Sequence, residues 1–220
     1  MQSHDLTLDV IDRDGAVAEA AEAVASDSRA DFFRKAGVAA GGTLLASSVF
    51  GALPSLASAA VPKGDVAILK YALTLEYLEA AFYKEAVDGG KLKCHTLAFA
   101  KKVAADEATH VAGLRKALGS SAPASPKFDF QGTTHSQSKF LQTSFVLENT
   151  GVSAYLGQAG RIKTPSILLT AASIVTVEAR HAGAVGELLG KSNSPSGAYD
   201  AGKSMKDVLA AVKGTTFIKA

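Results

Sequence analysis

The sequence predicts an all-α protein, a four-helix bundle in which one long connection crosses the length of the bundle. Leu and Ala dominate its apolar residues, and runs of β-branched residues are few. Gly and Pro fall between long stretches whose apolar residues recur with helical periodicity. The connections between these stretches are short, long and short, which is typical of a bundle with one crossover. The 220 residues suffice for one sizeable core.

The first two helices are delimited by glycines. Asp65 is the predicted N-cap of a helix over residues 66–88, which the pair Gly89-Gly90 ends. A short connection leads to a second helix over residues 95–118, which ends at Gly119.

The long connection covers residues 119–138, which are polar and contain two prolines and two glycines. A third helix is predicted over residues 139–160 and a fourth over 165–190, with Thr164 as its N-cap and Pro165 at its first position. Because the fourth helix is apolar almost throughout, we expect burial on most of its surface. A short C-terminal helix should follow over residues 204–212, and the tail at Phe217 and Ile218 is expected to dock on the bundle.

Residues 1–59 differ from the rest and are predicted to be an export leader, with the bundle domain over 60–220. Arg29, Arg34 and Lys35 precede a mild apolar run over residues 36–53, and Ala57-Ser58-Ala59 offers a small-x-small cleavage site. Residues 28–37 resemble a twin-arginine signal, but Ala30 stands where the second arginine belongs. We therefore expect a protein exported to the periplasm or cell envelope, and an uncleaved membrane anchor stays open as an alternative.

Charge and cysteine content exclude several functions. Before residue 60 the net charge is −4 and from there onward it is +6. The lysines are spread along the chain with no run longer than Lys101-Lys102, so nucleic-acid binding is not expected. Cys94 is the only cysteine, which excludes an intrachain disulfide, a rubredoxin-type iron site and a zinc ribbon.

The functional prediction comes from an internal repeat of acidic residues. Each half of the bundle contains a lone glutamate, a tyrosine seven residues later, and a Glu-x-x-His motif. The lone and paired glutamates are 31 residues apart in the first half and 30 in the second. The repeated residues are Glu76, Tyr83, Glu107 and His110, followed by Glu148, Tyr155, Glu178 and His181.

This residue set suits two divalent cations. Glu-x-x-His places a carboxylate and an imidazole on one helix face, because residues three apart are neighbours there. Four glutamates and two neutral histidines provide four negative charges for two M²⁺ ions. Oxygen ligands with two nitrogens favour iron or manganese. A single Glu-x-x-His motif is more often an exposed polar pair, so the prediction depends on the complete set.

These residues resemble the ferritin-like di-iron carboxylate superfamily, and more specifically the exported ferritin-like proteins grouped with desiccation-related proteins. Residues 65–83, with Leu75-Glu76-Tyr77-Leu78-Glu79 at their centre, are similar to the opening helix of that group, and the likeness extends over residues 63–190. The resemblance implies that the metal ligands are Glu76, Glu107, His110, Glu148, Glu178 and His181. It also implies that Tyr83 and Tyr155 lie beside the metals.

The same resemblance implies two Fe or Mn ions that react with O₂ or peroxide and protect against metal-driven oxidation, for example during drying. Two alternatives stay open: a stress protein that binds metal structurally without turnover, and a manganese catalase. A mineral-storing cage is not favoured, because nothing in the sequence marks a cage interface. Tyr83 and Tyr155 could also be core tyrosines that only hold a ligand in place.

Two further points are left open by the sequence. Glu79 is one turn from Glu76 and could be an additional ligand, although a salt bridge at the rim is the favoured interpretation. The third helix is apolar nearly all round, so a second subunit, the leader or the tail should cover it.

Overall fold

The computed structural model describes residues 61–219. The predicted export signal, its cleavage site and the alternative membrane anchor lie outside these residues. Five α-helices follow in order: α1 (Lys63–Asp88), α2 (Cys94–Leu118), α3 (Gln137–Ala159), α4 (Pro165–Leu188) and α5 (Met205–Thr215). The all-α fold with a short C-terminal helix is therefore confirmed.

The long helices pack as two consecutive pairs. α1 packs most extensively on α2, and α3 packs most extensively on α4. Each pair is joined by a short turn, and the two pairs are connected by the long segment from Gly119 to Ser136. This is the predicted order of short, long and short connections, and it brings one face of every long helix to the bundle interior.

The start of α1 differs from the prediction. Pro62 is its N-cap, so Asp65 lies inside the first turn. The buried Asp65 carboxylate instead accepts hydrogen bonds from the backbone N–H of Lys163, at 3.1 Å, and of Thr164, at 2.8 Å. Asp65 thereby attaches the beginning of α1 to the turn that precedes α4.

Helix α4 starts at Pro165 as predicted, but the expected burial on most of its surface is wrong. Its buried side chains form one stripe that includes Ile167, Ile174 and Val185. On the other side Leu168 is 37% exposed and Leu169 is 65% exposed. The reason is positional, since α3 and α2 are the main neighbours of α4 and both contact the same side of it.

The long connection and the C-terminal tail are held together by a small sheet. Strand β1 (Lys127–Phe128) pairs antiparallel with β2 (Ile218–Lys219). Phe217 is buried beside them, and its ring packs edge-on against Phe130 with centroids 5.4 Å apart. The predicted docking of the tail is confirmed, and the tail meets the crossover connection.

The segment before α5 covers part of α3. The N–H of Lys203 donates to the Ser153 carbonyl at 2.9 Å. The Lys203 backbone can approach α3 this closely because residue 157 is glycine. A Cβ at residue 157 would lie 1.8 Å from the Lys203 carbonyl oxygen. This segment, rather than the tail at Phe217 and Ile218, covers part of α3, and Val146 stays 56% exposed.

The apolar core consists of two clusters, and each contains one of the repeated tyrosines. Tyr83 belongs to a cluster in which Phe82 stacks on Phe140, with ring centroids 5.3 Å apart. Tyr155 belongs to the other cluster, with Leu114 and others. Within residues 61–219, no helix has the length and apolar character needed to cross a membrane.

The bridge made by Asp65 can be tested by mutation. Asp65→Ala leaves the partly buried N–H groups of Lys163 and Thr164 without their acceptor and should lower the free energy of unfolding by about 1–3 kcal/mol. Asp88→Ala at the other end of α1 is the matched control, because its partner Lys84 is exposed and such pairs contribute about 0–1 kcal/mol. If Asp65→Ala and Asp88→Ala lower the free energy of unfolding in urea equally, the structural role of the Asp65 bridge is contradicted.

The same bridge predicts a pH dependence. Burial alone would raise the pKa of Asp65, but hydrogen bonds from Thr164 and Lys163 outweigh it and lower the pKa below its usual value. The stabilisation should therefore be complete above the unfolded pKa of about 3.9 and should be lost as pH falls through the folded pKa. The stability difference between wild type and Asp65→Asn should narrow below about pH 4. A constant difference from pH 7 to pH 3 would refute this.

Gly157 provides a second test. Gly157→Ala should destabilise by about 1–3 kcal/mol, because the new methyl group meets backbone that must move. It should also speed hydrogen exchange at the Lys203 amide. Gly214→Ala in α5 is the control, since nothing lies within 4 Å of its Cβ position and alanine there should stabilise by about 0.5 kcal/mol. Similar effects of both changes would show that the close approach is wrong.

Candidate metal centre

The four long helices each deliver part of one buried polar cluster. The four glutamates have no exposed surface, and the two histidines are each 6% exposed. All the metal ligands that the sequence predicts meet in this cluster: Glu76 from α1, Glu107 and His110 from α2, Glu148 from α3, and Glu178 and His181 from α4.

The cluster contains two overlapping sets of four side chains. In each set the ligand atoms lie within 4.8 Å of one another. Position A is formed by Glu76, Glu107, His110 and Glu178. Position B is formed by Glu107, Glu148, Glu178 and His181. Glu107 and Glu178 belong to both positions, which is the placement of carboxylates that bridge two cations.

One histidine nitrogen faces each position. His110 Nδ1 lies 3.2 Å from an oxygen of each of the three glutamates of position A. His181 Nδ1 lies 3.2 Å from Glu107 Oε1 and 3.4 Å from Glu148 Oε2. The two Glu-x-x-His motifs therefore direct equivalent atoms to the two positions.

Several of these atoms are buried without a hydrogen bond. His181 Nδ1 is near two carboxylate oxygens, but the contacts lack hydrogen-bond geometry. Within residues 61–219 the site atoms without a partner are Glu107 Oε1, Glu148 Oε2, both Glu178 oxygens and His181 Nδ1. Each such atom costs about 1–3 kcal/mol, and more when it is charged. Cations among these oxygens and this nitrogen would satisfy all of them, so the residues fit a metal pair.

Without cations, the buried side chains of the cluster limit their mutual repulsion by keeping protons that exposed carboxylates would lose. Burial, followed by the charge of Glu76, raises the pKa of Glu107 to about 7. Burial and the charges of Glu107 and Glu76 raise the pKa of Glu178 well above its usual value. For His181 burial opposes the charged form, but proximity to Glu107 and Glu148 raises the pKa to about 11. The metal-free site therefore retains protons that bound cations would displace.

Each of the two repeated tyrosines reaches a lone glutamate across the bundle rather than the one on its own helix. The Tyr83 hydroxyl of α1 donates to Glu148 of α3 and also contacts Ser144. The Tyr155 hydroxyl of α3 donates to Glu76 of α1. Each tyrosine thus crosses to the lone glutamate of the other half and fixes its carboxylate, which agrees with the holding role left open above.

The sequence interpretation missed Asp106. His181 Nε2 lies 3.0 Å from Asp106 Oδ2, so the nitrogen opposite position B has a carboxylate partner. Such a partner fixes the tautomer and orientation of a metal-binding histidine and increases its basicity. Asp106 precedes Glu107 directly and thus points about 100° away from it around α2. Periodicity along α2 does not reveal this contact, which the packing of α2 against α4 creates.

For Glu79 the favoured rim salt bridge is wrong. Glu79 is 3% exposed, and no basic side chain of residues 61–219 forms an ion pair with it. Burial raises its pKa well above the usual value, and the charges of Glu178 and Glu148 add to this. The Glu79 carboxylate lies against Gly151, where a Cβ would be 3.4 Å from Glu79 Oε1 and 3.3 Å from Glu178 Oε2.

Comparison with known protein families agrees with this geometry. The family model for the ferritin-like domain matches residues 64–191, more than half of the chain. The chain belongs to the ferritin-like domain family. No curated protein matches it significantly. In this ferritin-like domain the match extends from α1 through α4 and so includes every residue of positions A and B.

The protonated state of the ferritin-like domain without metal predicts the pH dependence of binding. Because its raised pKa leaves Glu107 partly protonated at neutral pH while His181 keeps its proton, Mn²⁺ binding should release protons and become tighter as pH rises from about 6 to 8. Calorimetry in buffers of different ionisation enthalpy measures the number released. Glu187→Gln on the exposed side of α4 should leave this number unchanged. A dissociation constant that does not vary with pH would contradict displacement of protons.

Proposed function

We propose that this ferritin-like protein holds a dinuclear iron or manganese centre that reacts with O₂ or peroxide. The observation that carries the proposal is the sharing of Glu107 and Glu178 between positions A and B. Paired divalent cations in such centres lie about 3.5–4 Å apart and need carboxylates common to both. When bound, the metal pair would supply the electrons that reduce the oxidant.

The metal class is inferred from the ligand atoms. Oxygen donors outnumber the two imidazole nitrogens, and no sulfur ligand is present among the four helices at the site. Such a set favours iron or manganese over the softer copper(I). The four carboxylates, when ionised, balance the charge of two M²⁺ ions if both histidines are neutral.

The protein side chains hold the ligands and keep water out. Tyr83 and Tyr155 restrain the lone glutamates through their hydroxyl groups, and Asp106 restrains the ring of His181. No ligand side chain is more than 8% exposed. A site enclosed in this way strengthens electrostatic interactions among its groups.

An apolar cavity adjoins the site on the side of Tyr155. Its volume is about 20 Å³, and its walls include Leu75, Leu114 and Ile174. This is room for about one water-sized molecule. The lining suits dioxygen, which is apolar, and Tyr155 connects the cavity to Glu76.

The biological role that we propose is protection of the cell envelope against metal-driven oxidation, as in oxidative or desiccation stress. It is supported by the export-like leader over residues 1–59 and by the resemblance of residues 65–83 to exported ferritin-like proteins. Removal of reactive Fe²⁺ or peroxide outside the cytoplasm would be the useful reaction.

Iron oxidation tests the proposal directly. The full-length protein, freed of metal and loaded anaerobically with Fe²⁺, should bind two irons per chain and oxidise them when O₂ is admitted. Glu107→Gln and Glu178→Gln each remove a shared ligand and should slow oxidation at least about tenfold. The matched control, Glu187→Gln, should behave as wild type.

The alternatives predict different results in the same experiment. Metal that raises the melting temperature without any oxidation would indicate a structural site. Rapid disproportionation of peroxide by the Mn²⁺-loaded protein would indicate a manganese catalase. Failure to bind about two ions per chain would refute a dinuclear centre altogether.

A further inference from the structure

The two halves of the metal centre depart from the internal repeat at two places. Three residues after the lone glutamate, the first half has Glu79 and the second has Gly151. One residue before the paired glutamate, the first half has Asp106 and the second has Val177. Both departures add a carboxylate from the first half, and neither is balanced in the second.

Asp106 acts on position B only. Its carboxylate lies 3.0 Å from His181 Nε2, while His181 Nδ1 faces position B. In the first half His110 has no carboxylate within 4 Å of Nε2 among residues 61–219. Asp106 also pairs with Lys102, but that lysine side chain is 70% exposed, so solvent screens its charge.

Glu79 also lies toward position B. It belongs to α1, yet its carboxylate extends to Gly151, one turn along α3 from Glu148. After burial, the charges of Glu178, Glu148, Glu107 and Glu76 raise the pKa of Glu79 in that order, so the lone glutamate of position B acts on it more strongly than that of position A. Because residue 151 has no side chain, the Glu79 carboxylate lies against the backbone of α3 on this side of the centre.

We propose that positions A and B are unequal, and that position B binds the first cation and holds it more tightly. The inference rests on the proposed dinuclear centre. Position B has Asp106 behind its histidine and Glu79 against Gly151, on the helix that supplies Glu148, whereas His110 of position A has no second carboxylate behind its ring among residues 61–219. Additional negative charge in a buried site favours a divalent cation, and a carboxylate behind a histidine strengthens that ligand. The centre would consequently fill in two steps, with an exchangeable ion at position A.

A titration of the metal-free, full-length protein with Mn²⁺ tests the order. Free Mn²⁺ is followed by its electron paramagnetic resonance signal, so no turnover is required. Wild type should show two steps whose dissociation constants differ at least about tenfold. Glu148→Gln should remove the tight step and Glu76→Gln the weak step, because each lone glutamate belongs to one position.

The asymmetry itself is tested by Glu79→Gln and Asp106→Asn, which keep side-chain size. Each should weaken the tight step about tenfold or more and change the weak step less than about threefold. Glu187→Gln removes the same charge from an exposed position and should change neither step. Circular dichroism shows whether each variant is folded. If one of the two variants does not fold, the other still tests the asymmetry.

The outcomes separate this inference from the proposed function. Three results would overturn the inequality while leaving a dinuclear centre intact. They are two equal binding steps in wild type, loss of the tight step in Glu76→Gln, and equal weakening of both steps by Glu79→Gln and Asp106→Asn. No Mn²⁺ or Fe²⁺ binding by wild type would instead refute the dinuclear centre, and the inference with it.

Discussion

The constraint on which this structure depends is the burial of five carboxylates at one place. Glutamates from all four long helices are 0–3% exposed, and their number exceeds that of the two histidines among them. Ionised groups in such surroundings are costly unless they are paired. Buried charges are generally paired or coordinate metal ions, so the proposed metal pair would explain why the bundle tolerates these carboxylates.

The rest of the fold can be understood as support for that cluster. The two apolar clusters provide Tyr83 and Tyr155, whose hydroxyl groups satisfy Glu148 and Glu76. Asp65 fixes the start of α1 to the turn before α4, and the tail sheet ties the crossover to the C-terminus. Each of these contacts joins segments distant in sequence, which limits relative movement of the helices that deliver the ligands.

The helices and the clustering of six side chains could be predicted from the sequence because both follow local rules. Glycines end α1 and α2, Pro165 begins α4, and the matched spacing of the two halves placed six side chains on inward faces. The contributions of Asp106 and Glu79 could not be predicted in this way. They depend on which helices become neighbours, and this is not visible from periodicity along one helix. The exposure of Leu169 was missed for a related reason, since apolar composition does not reveal how many neighbours a helix has.

Anomalous diffraction from crystals of the Mn²⁺-loaded protein measures the central claim most directly. The account predicts two peaks about 3.5–4 Å apart, lying between Glu107 and Glu178, with one next to His110 and the other next to His181. A single peak, peaks only at the protein surface, or no peak among these residues would contradict it.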